Sequence, residues 1–183
     1  MINSIIASII LILTFPIFLA ISIIILISDG CPIFYKQKRI GLYNSHFLLY
    51  KFRTMKKNTP ELASHLLSNP DDHLIGIGRF LRTFSLDEIP QLINIVKSDM
   101  NFIGPRPALH NQNDLKKLRT KHNIHLLVPG LTGWAQINGR DEISIRDKVN
   151  LDKYYYENKS FSLDFKIIML TIIKVIRRGG VSH

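Results

Sequence analysis

This 183-residue chain is poor in cysteine and, set against its cations, in acidic residues. One cysteine, Cys31, excludes an internal disulfide framework and a cysteine-rich metal centre, and it agrees with a reducing compartment. Fourteen Asp and Glu stand against 24 Lys and Arg, a formal charge of +10. Such a chain expects an anionic partner: nucleic acid, acidic lipid headgroups or a phosphorylated substrate. Aromatic residues are 9% of the chain. They form no RNA-reading motif, and zinc-finger spacing is absent, so no nucleic acid is expected. The seven histidines show no zinc-ligand pairing on a helical face. Internal repeats and low-complexity tracts are also missing. The length suits one domain with at most an appendage.

Charge is missing altogether from Ile5 to Ile27, a run long enough to cross a bilayer core of ~30 Å as a helix. Residues 1–20 hold no Lys or Arg, which argues against a cleaved signal peptide. Ser28 and Asp29 are poor residues to precede a lipoprotein cysteine at Cys31. Two readings remain. A straight spanning helix is the plainer one. A re-entrant hairpin is the other, because Pro16 sits near the middle of the run, where a missing donor and a steric clash kink a helix. Lys36, Lys38 and Arg39 follow the run and no cation precedes it, so residues 30–183 are expected on the cytoplasmic side.

Asp29-Gly30 is a turn signal that ends the apolar segment. Pro32 to Lys38 and Phe47 to Arg53 read as two short strands around Gly41–Asn44. Residues 56–73 are polar and read as loop or helix. Helices are expected over Ile75–Phe84, Asp87–Lys97, Asn113–Lys121 and Ser144–Glu157. Loops are expected over 101–107 and over the Gly-rich, irregular Val128–Arg140. Leu163 to Arg178 carries a broad apolar face edged by Lys166, Lys174, Arg177 and Arg178. It reads equally as a helix lying in a membrane interface and as a buried core helix.

Among so few acids, Asp87 and Glu88 are adjacent. Ser85-x-x-Glu88 matches a capping box, and Pro90 moves the expected cap toward Asp87, since proline suits the first helical turn. Locally, capping is the stronger reading. The chemical alternative uses the same place: a carboxylate at a helix N-terminus stays ionised as a nucleophile or metal ligand, and the free amides there attract phosphate. Gly104-Pro105-Arg106-Pro107 holds one arginine between two prolines, either preorganised for phosphate or simply a solvated turn. Lys51-Phe52-Arg53 alternates cation, aromatic and cation, which in a strand buries Phe52 and turns both cations to one face. Arg82 stands just before the acid pair. Trp134 reads as a packing anchor.

Taken together, Phe34–Gly41 with Gln37 and Arg39, Tyr50–Met55, Arg82–Leu92, Gly104–Pro107, Pro129–Arg140 and Tyr154-Tyr155 resemble the bacterial sugar transferases that are monotopic polyprenyl-phosphate phosphoglycosyl transferases. The resemblance runs in order over nearly the whole chain. It implies an α/β-irregular fold, mostly helical with short strands. A re-entrant membrane helix over 1–28 would precede a cytoplasmic catalytic domain over 29–183 with interfacial amphipathic helices. It implies Mg²⁺ as cofactor, a nucleotide-sugar donor (uridine by family habit) and a polyprenol phosphate acceptor. Other expected partners are membrane lipids and glycan-assembly enzymes, at the cytoplasmic face of a bacterial inner membrane. Carried over, Asp87 is the nucleophile, Glu88 helps it hold Mg²⁺ or position the acceptor, and Lys51, Arg53, Arg82 and Arg106 neutralise phosphate. Pro16 is the membrane break. Two departures stand out: the segment before the apolar run is short and uncharged, and the usual Ser-Pro break is Phe15-Pro16 here, without the serine hydroxyl. The rival from another class is a non-catalytic basic scaffold on the membrane surface.

Overall fold

The apolar run divides in two. In the computed structural model, which describes residues 1–59, 69–139 and 143–176, α1 (Ile2–Leu13) and α2 (Phe15–Asp29) are bent by 62°. No straight spanning helix forms, and no single described helix is long and apolar enough to cross a membrane. The bend falls at Thr14 rather than at Pro16, which lies in the first turn of α2. Proline has no N–H, and the first turn is where none is needed. The hydroxyl lost from the usual Ser-Pro pair has a substitute: Thr14 Oγ1 donates to the Ile10 carbonyl at 2.8 Å.

Each helix of the pair buries one row and exposes the rest. Ala7 packs among Leu49, Leu92, Ile95 and Met100, while Ile21 and Ile25 pack with Phe52, Ile75 and Leu81. Ile25 is fully buried, and burying one such side chain stabilises by about 1.5–3 kcal/mol. Ile5, Ile9, Ile12, Ile17, Ile24 and Ile27 are exposed. Both ends of the pair are fastened to the rest of the molecule. Asn3 Nδ2 donates to Asn101 Oδ1 at 2.8 Å, and Ser4 Oγ to the Ile95 carbonyl at 3.2 Å. At the other end, Arg53 Nη1 lies 2.7 Å from Asp29 Oδ2.

The two expected strands form as β1 (Phe34–Ile40) and β2 (His46–Phe52) and pair as an antiparallel hairpin in the register Phe34↔Phe52 to Ile40↔His46. Phe52 is buried and shares a ring cluster with Phe18 and Phe34. A 3-10 turn over Pro70–His73 lies inside the expected segment 56–73, of which residues 60–68 lie outside the described residues.

The two helices expected around the acid pair are shorter than their apolar pattern suggests. They are α3 (Gly78–Thr83) and α4 (Gln91–Val96), separated by a 3-10 turn over Leu86–Glu88. Ser85 adopts left-handed φ 55 there, a conformation that costs a non-glycine residue roughly 1–2 kcal/mol and ends a helix. Pro90 then serves as the N-cap of α4.

Residues 101–107 are not all loop. β3 (Asn101–Ile103) pairs in parallel with β4 (Gly130–Thr132), which belongs to the segment expected to be irregular. Those glycines permit close backbone approach: a Cβ on Gly130 would strike the Gly104 amide, and one on Gly133 the Gly104 carbonyl. The remaining helices are α5 (Asn113–Lys121), α6 (Trp134–Asn138), α7 (Ile145–Asn158) and α8 (Phe161–Ile176). Ser144 caps α7, its Oγ accepting from the Asp147 amide at 3.1 Å. Ile167 on α8 is buried with Ile137 and Tyr155, and Leu163 and Leu170 pack beside them. Phe161, Phe165, Ile168, Met169 and Ile172 on the same helix are exposed. One row of this helix is therefore core, and another is an exposed apolar row. Arg140, Arg177 and Arg178 lie outside the described residues. The fold is thus mostly helical with short strands, as expected.

Candidate active site

The acid pair sits where three pieces of chain meet: the 3-10 turn before α4, the end of β2, and the loop after β3. Asn94 sets the first two against each other. Fully buried in α4, it accepts from the Tyr50 amide at 3.0 Å and donates to the Leu48 carbonyl at 2.7 Å. That knits α4 to β2 and carries Lys51 to the turn. Lys51 Nζ lies 2.7 Å from Glu88 Oε1 and 3.4 Å from Asp87 Oδ2. Arg106 reaches the same Glu88 oxygen through Nη2 at 3.3 Å and Nη1 at 3.4 Å. Arg82 donates from Nε to Thr54 Oγ1 at 2.9 Å, and its charge acts on Asp87.

The capping box does not form. Ser85 makes no side-chain capping bond, and the N-cap of α4, Pro90, has no side chain that could make one. Glu88 instead accepts from the two cations. Capping was the stronger local reading because the partners that overrule it are 36 and 37 residues upstream for Lys51 and 18 residues downstream for Arg106.

The two carboxyls are electrostatically unlike. Burial pushes both upward. For Glu88, Lys51 and Arg106 outweigh burial and hold the carboxyl at about 2. For Asp87, burial prevails over Lys51 and the neighbouring Glu88 charge adds to it, so its carboxyl lies above the ordinary carboxylate range. Glu88 is the fixed anion of the pair. Asp87 keeps one longer contact, to Lys51 at 3.4 Å, and is the less firmly paired of the two.

Lys51, Arg82 and Arg106 therefore gather around Asp87 and Glu88, and Arg53 does not. β2 ends at Phe52, and the Arg53 guanidinium turns to the end of α2. There it pairs with Asp29 and donates to the Asp29 carbonyl at 3.2 Å. The alternation rule fails because the pleat stops one residue too early. Trp134 is an anchor, stacked on Tyr154 with ring centroids 5.5 Å apart and Lys166 Nζ over its ring.

Sequence reading missed Asn94, Arg119 and Asp152. Arg119 is buried at 8% exposure and bonds Asp152 through Nε at 3.0 Å and Nη2 at 2.6 Å. A charged helix such as α5 reads as solvated, and only its periodicity against Leu115 hinted that Arg119 shares the inward face.

No cluster of three or more His, Cys, Asp or Glu suited to a metal occurs among the described residues. Magnesium does not need one, since it typically takes one or two carboxylates and fills its shell with water and substrate phosphate. The acid pair fits that demand, because its two carboxylates already converge on one cation, the Lys51 ammonium.

Comparison with known proteins identifies the family. Residues 1–178 match the bacterial sugar transferase family. The chain is 44% identical over 157 residues to the uncharacterized sugar transferase EpsL of Bacillus subtilis, covering 84% of this chain and 75% of that protein. It is 35% identical to the exopolysaccharide production protein ExoY of Sinorhizobium fredii, over 90% of this chain and 79% of that one. It is also 35% identical to the UDP-glucose:undecaprenyl-phosphate glucose-1-phosphate transferase of Xanthomonas campestris, over 95% of this chain but 38% of that one. With a family match over almost its whole length and relatives of this kind, the chain belongs to the bacterial sugar transferases, an enzyme family.

Proposed function

We propose that the protein is a polyprenyl-phosphate phosphoglycosyl transferase that moves a sugar phosphate from a nucleotide sugar, with uridine as the nucleoside, to a polyprenol phosphate. The observation that carries the reading is the acid pair, Asp87 buried and Glu88 half-buried, with Lys51 and Arg106 converging on Glu88 while Asp87 keeps the looser contact. The Xanthomonas relative is named for a transfer of this kind from UDP-glucose.

An Asp87 carboxylate oxygen attacks the phosphorus next to the sugar. The bond from that phosphorus to the bridging oxygen breaks, and the nucleoside monophosphate leaves with the electron pair. An oxygen of the polyprenol phosphate then attacks the aspartyl-bound phosphorus. The carboxylate is released, leaving the sugar on a diphosphate bridge. Lys51, Arg82 and Arg106 stand where charge on the transferring phosphoryl group would be neutralised, and such preorganised cations supply much of the catalysis in phosphoryl transfer. Asp87 and Glu88 would hold Mg²⁺, which when bound supplies further positive charge to the phosphate oxygens.

The bent helix pair serves this chemistry as a re-entrant anchor. Its two ends rest on the same body, at Asn3 and at Asp29, which suits a segment that enters and leaves on one side. The exposed rows of α1, α2 and α8 are the surfaces offered to lipid at a bacterial inner membrane, with the site on its cytoplasmic side.

Incubation of the full chain with a labelled nucleotide sugar and Mg²⁺ tests the reading. Nucleoside monophosphate and a covalent adduct in the intact mass are expected, and Asp87→Asn should lose both. Release of nucleoside diphosphate would instead mean direct glycosyl transfer, and turnover in Asp87→Asn near that of wild type would remove Asp87 as nucleophile.

A further inference from the structure

We infer that Arg119 and Arg39 are positioning residues that hold Arg106 against the acid pair by gripping the backbone of its loop. The inference rests on the phosphoryl-transfer reading above and goes beyond it, because it concerns two residues whose hydrogen bonds run to the loop backbone.

The loop Gly104-Pro105-Arg106-Pro107 is poor in means of holding itself. Its two prolines lack N–H groups, and its carbonyls need donors from elsewhere. Two consecutive carbonyls find an arginine each. Arg119 Nη1, from α5, donates to the Arg106 carbonyl at 2.9 Å. Arg39 Nη1, from β1, donates to the Pro107 carbonyl at 2.9 Å. Each guanidinium is aimed by a further partner. Arg119 spends Nε and Nη2 on Asp152, which is 1% exposed on α7, leaving Nη1 directed at the loop. Arg39 places Nη2 on Gln37 Oε1. The rigid fork of a guanidinium satisfies two directions at once, which a lysine ammonium on a flexible stem does not fix.

The Arg106 side chain reaches Glu88 from this loop. It is about a third exposed, and its contacts to Glu88 are 3.3 and 3.4 Å long. Its aim depends on its backbone, which the two arginines hold together with the Gly130 amide, a donor to the Pro105 carbonyl at 3.0 Å. A shift of about 1 Å at such a group can cost on the order of 100-fold in rate.

The test is a double-mutant cycle on the full chain in detergent, read as nucleoside monophosphate release, with thermal midpoints recorded for each variant. Arg119→Lys keeps a charge beside Asp152 but loses the fork. We expect it to lower kcat/KM by roughly 10- to 100-fold. In an Arg106→Ala background it should change activity by less than about twofold, since the side chain whose aim it sets is gone. Arg106→Lys replaces that background if Arg106→Ala falls below detection. Equal losses in both backgrounds, or no loss in the wild-type background, overturn the inference. Arg39→Lys runs through the same cycle with the same expectation and decides the matter if Arg119→Lys does not fold. A wild-type protein that releases no nucleoside monophosphate overturns the transfer reading itself, a result distinct from additivity in the cycle.

Discussion

At the scale of the residue, adjacency does not make Asp87 and Glu88 equivalent. Lys51 and Arg106 meet on Glu88 and keep it ionised, whereas burial dominates at Asp87 and raises its carboxyl. A nucleophilic Asp87 works only without its proton. Activity is therefore present above its pKa and is lost as pH falls through it, so the acid limb of the kcat/KM profile should lie above the ordinary carboxylate range. Lys51 opposes that upward shift. Lys51→Gln removes the opposition, so the acid limb should move to higher pH, with kcat/KM falling about 100-fold at the optimum. A pH–rate series on both proteins checks the sign, and a limb that stays in place or moves down means that Lys51 does not govern Asp87.

At the scale of the element, the strand and helix ends decide more than their interiors. β2 runs one residue past Lys51 and stops, and this sends Arg53 to the C-terminal end of α2 rather than to the site. There it joins a partner carboxylate to two carbonyls that a helix end leaves open. Removing one partner of a largely buried pair strands the other. Arg53→Ala should therefore destabilise the fold by roughly 2–4 kcal/mol, read from denaturant unfolding in detergent. A change within about 0.5 kcal/mol would mean that this end of α2 is held by its apolar row alone.

At the scale of the whole molecule, α1 and α2 are not a detached tail. Ala7 belongs to one hydrophobic core, and Ile21 and Ile25 to another. Their two ends return to one body, so a re-entrant placement exposes both ends on the same side of the bilayer. The native Cys31 is exposed, and so is Ile2. An impermeant maleimide should label Cys31 in the wild type, and position 2 in an Ile2→Cys, Cys31→Ser variant, from the cytoplasmic side only. Labelling of position 2 from the opposite side would establish a spanning helix.

The sequence by itself determined the apolar run, the two strands, the helices α5, α7 and α8, the acid pair and most of its cations. The run, the strands and the helices follow from periodicity, turn chemistry and charge, which act over a few residues, whereas the acid pair and its cations as a site came from the family resemblance. Only the tertiary structure decided that the bend lies at Thr14, that Ser85 and Glu88 form no capping box, that Arg53 serves α2, and that Arg119 and Asp152 are buried beneath the Arg106 loop. Each of those outcomes depends on a partner brought near by packing. Local pattern sets what a side chain can do, and the folded chain selects which partner it meets.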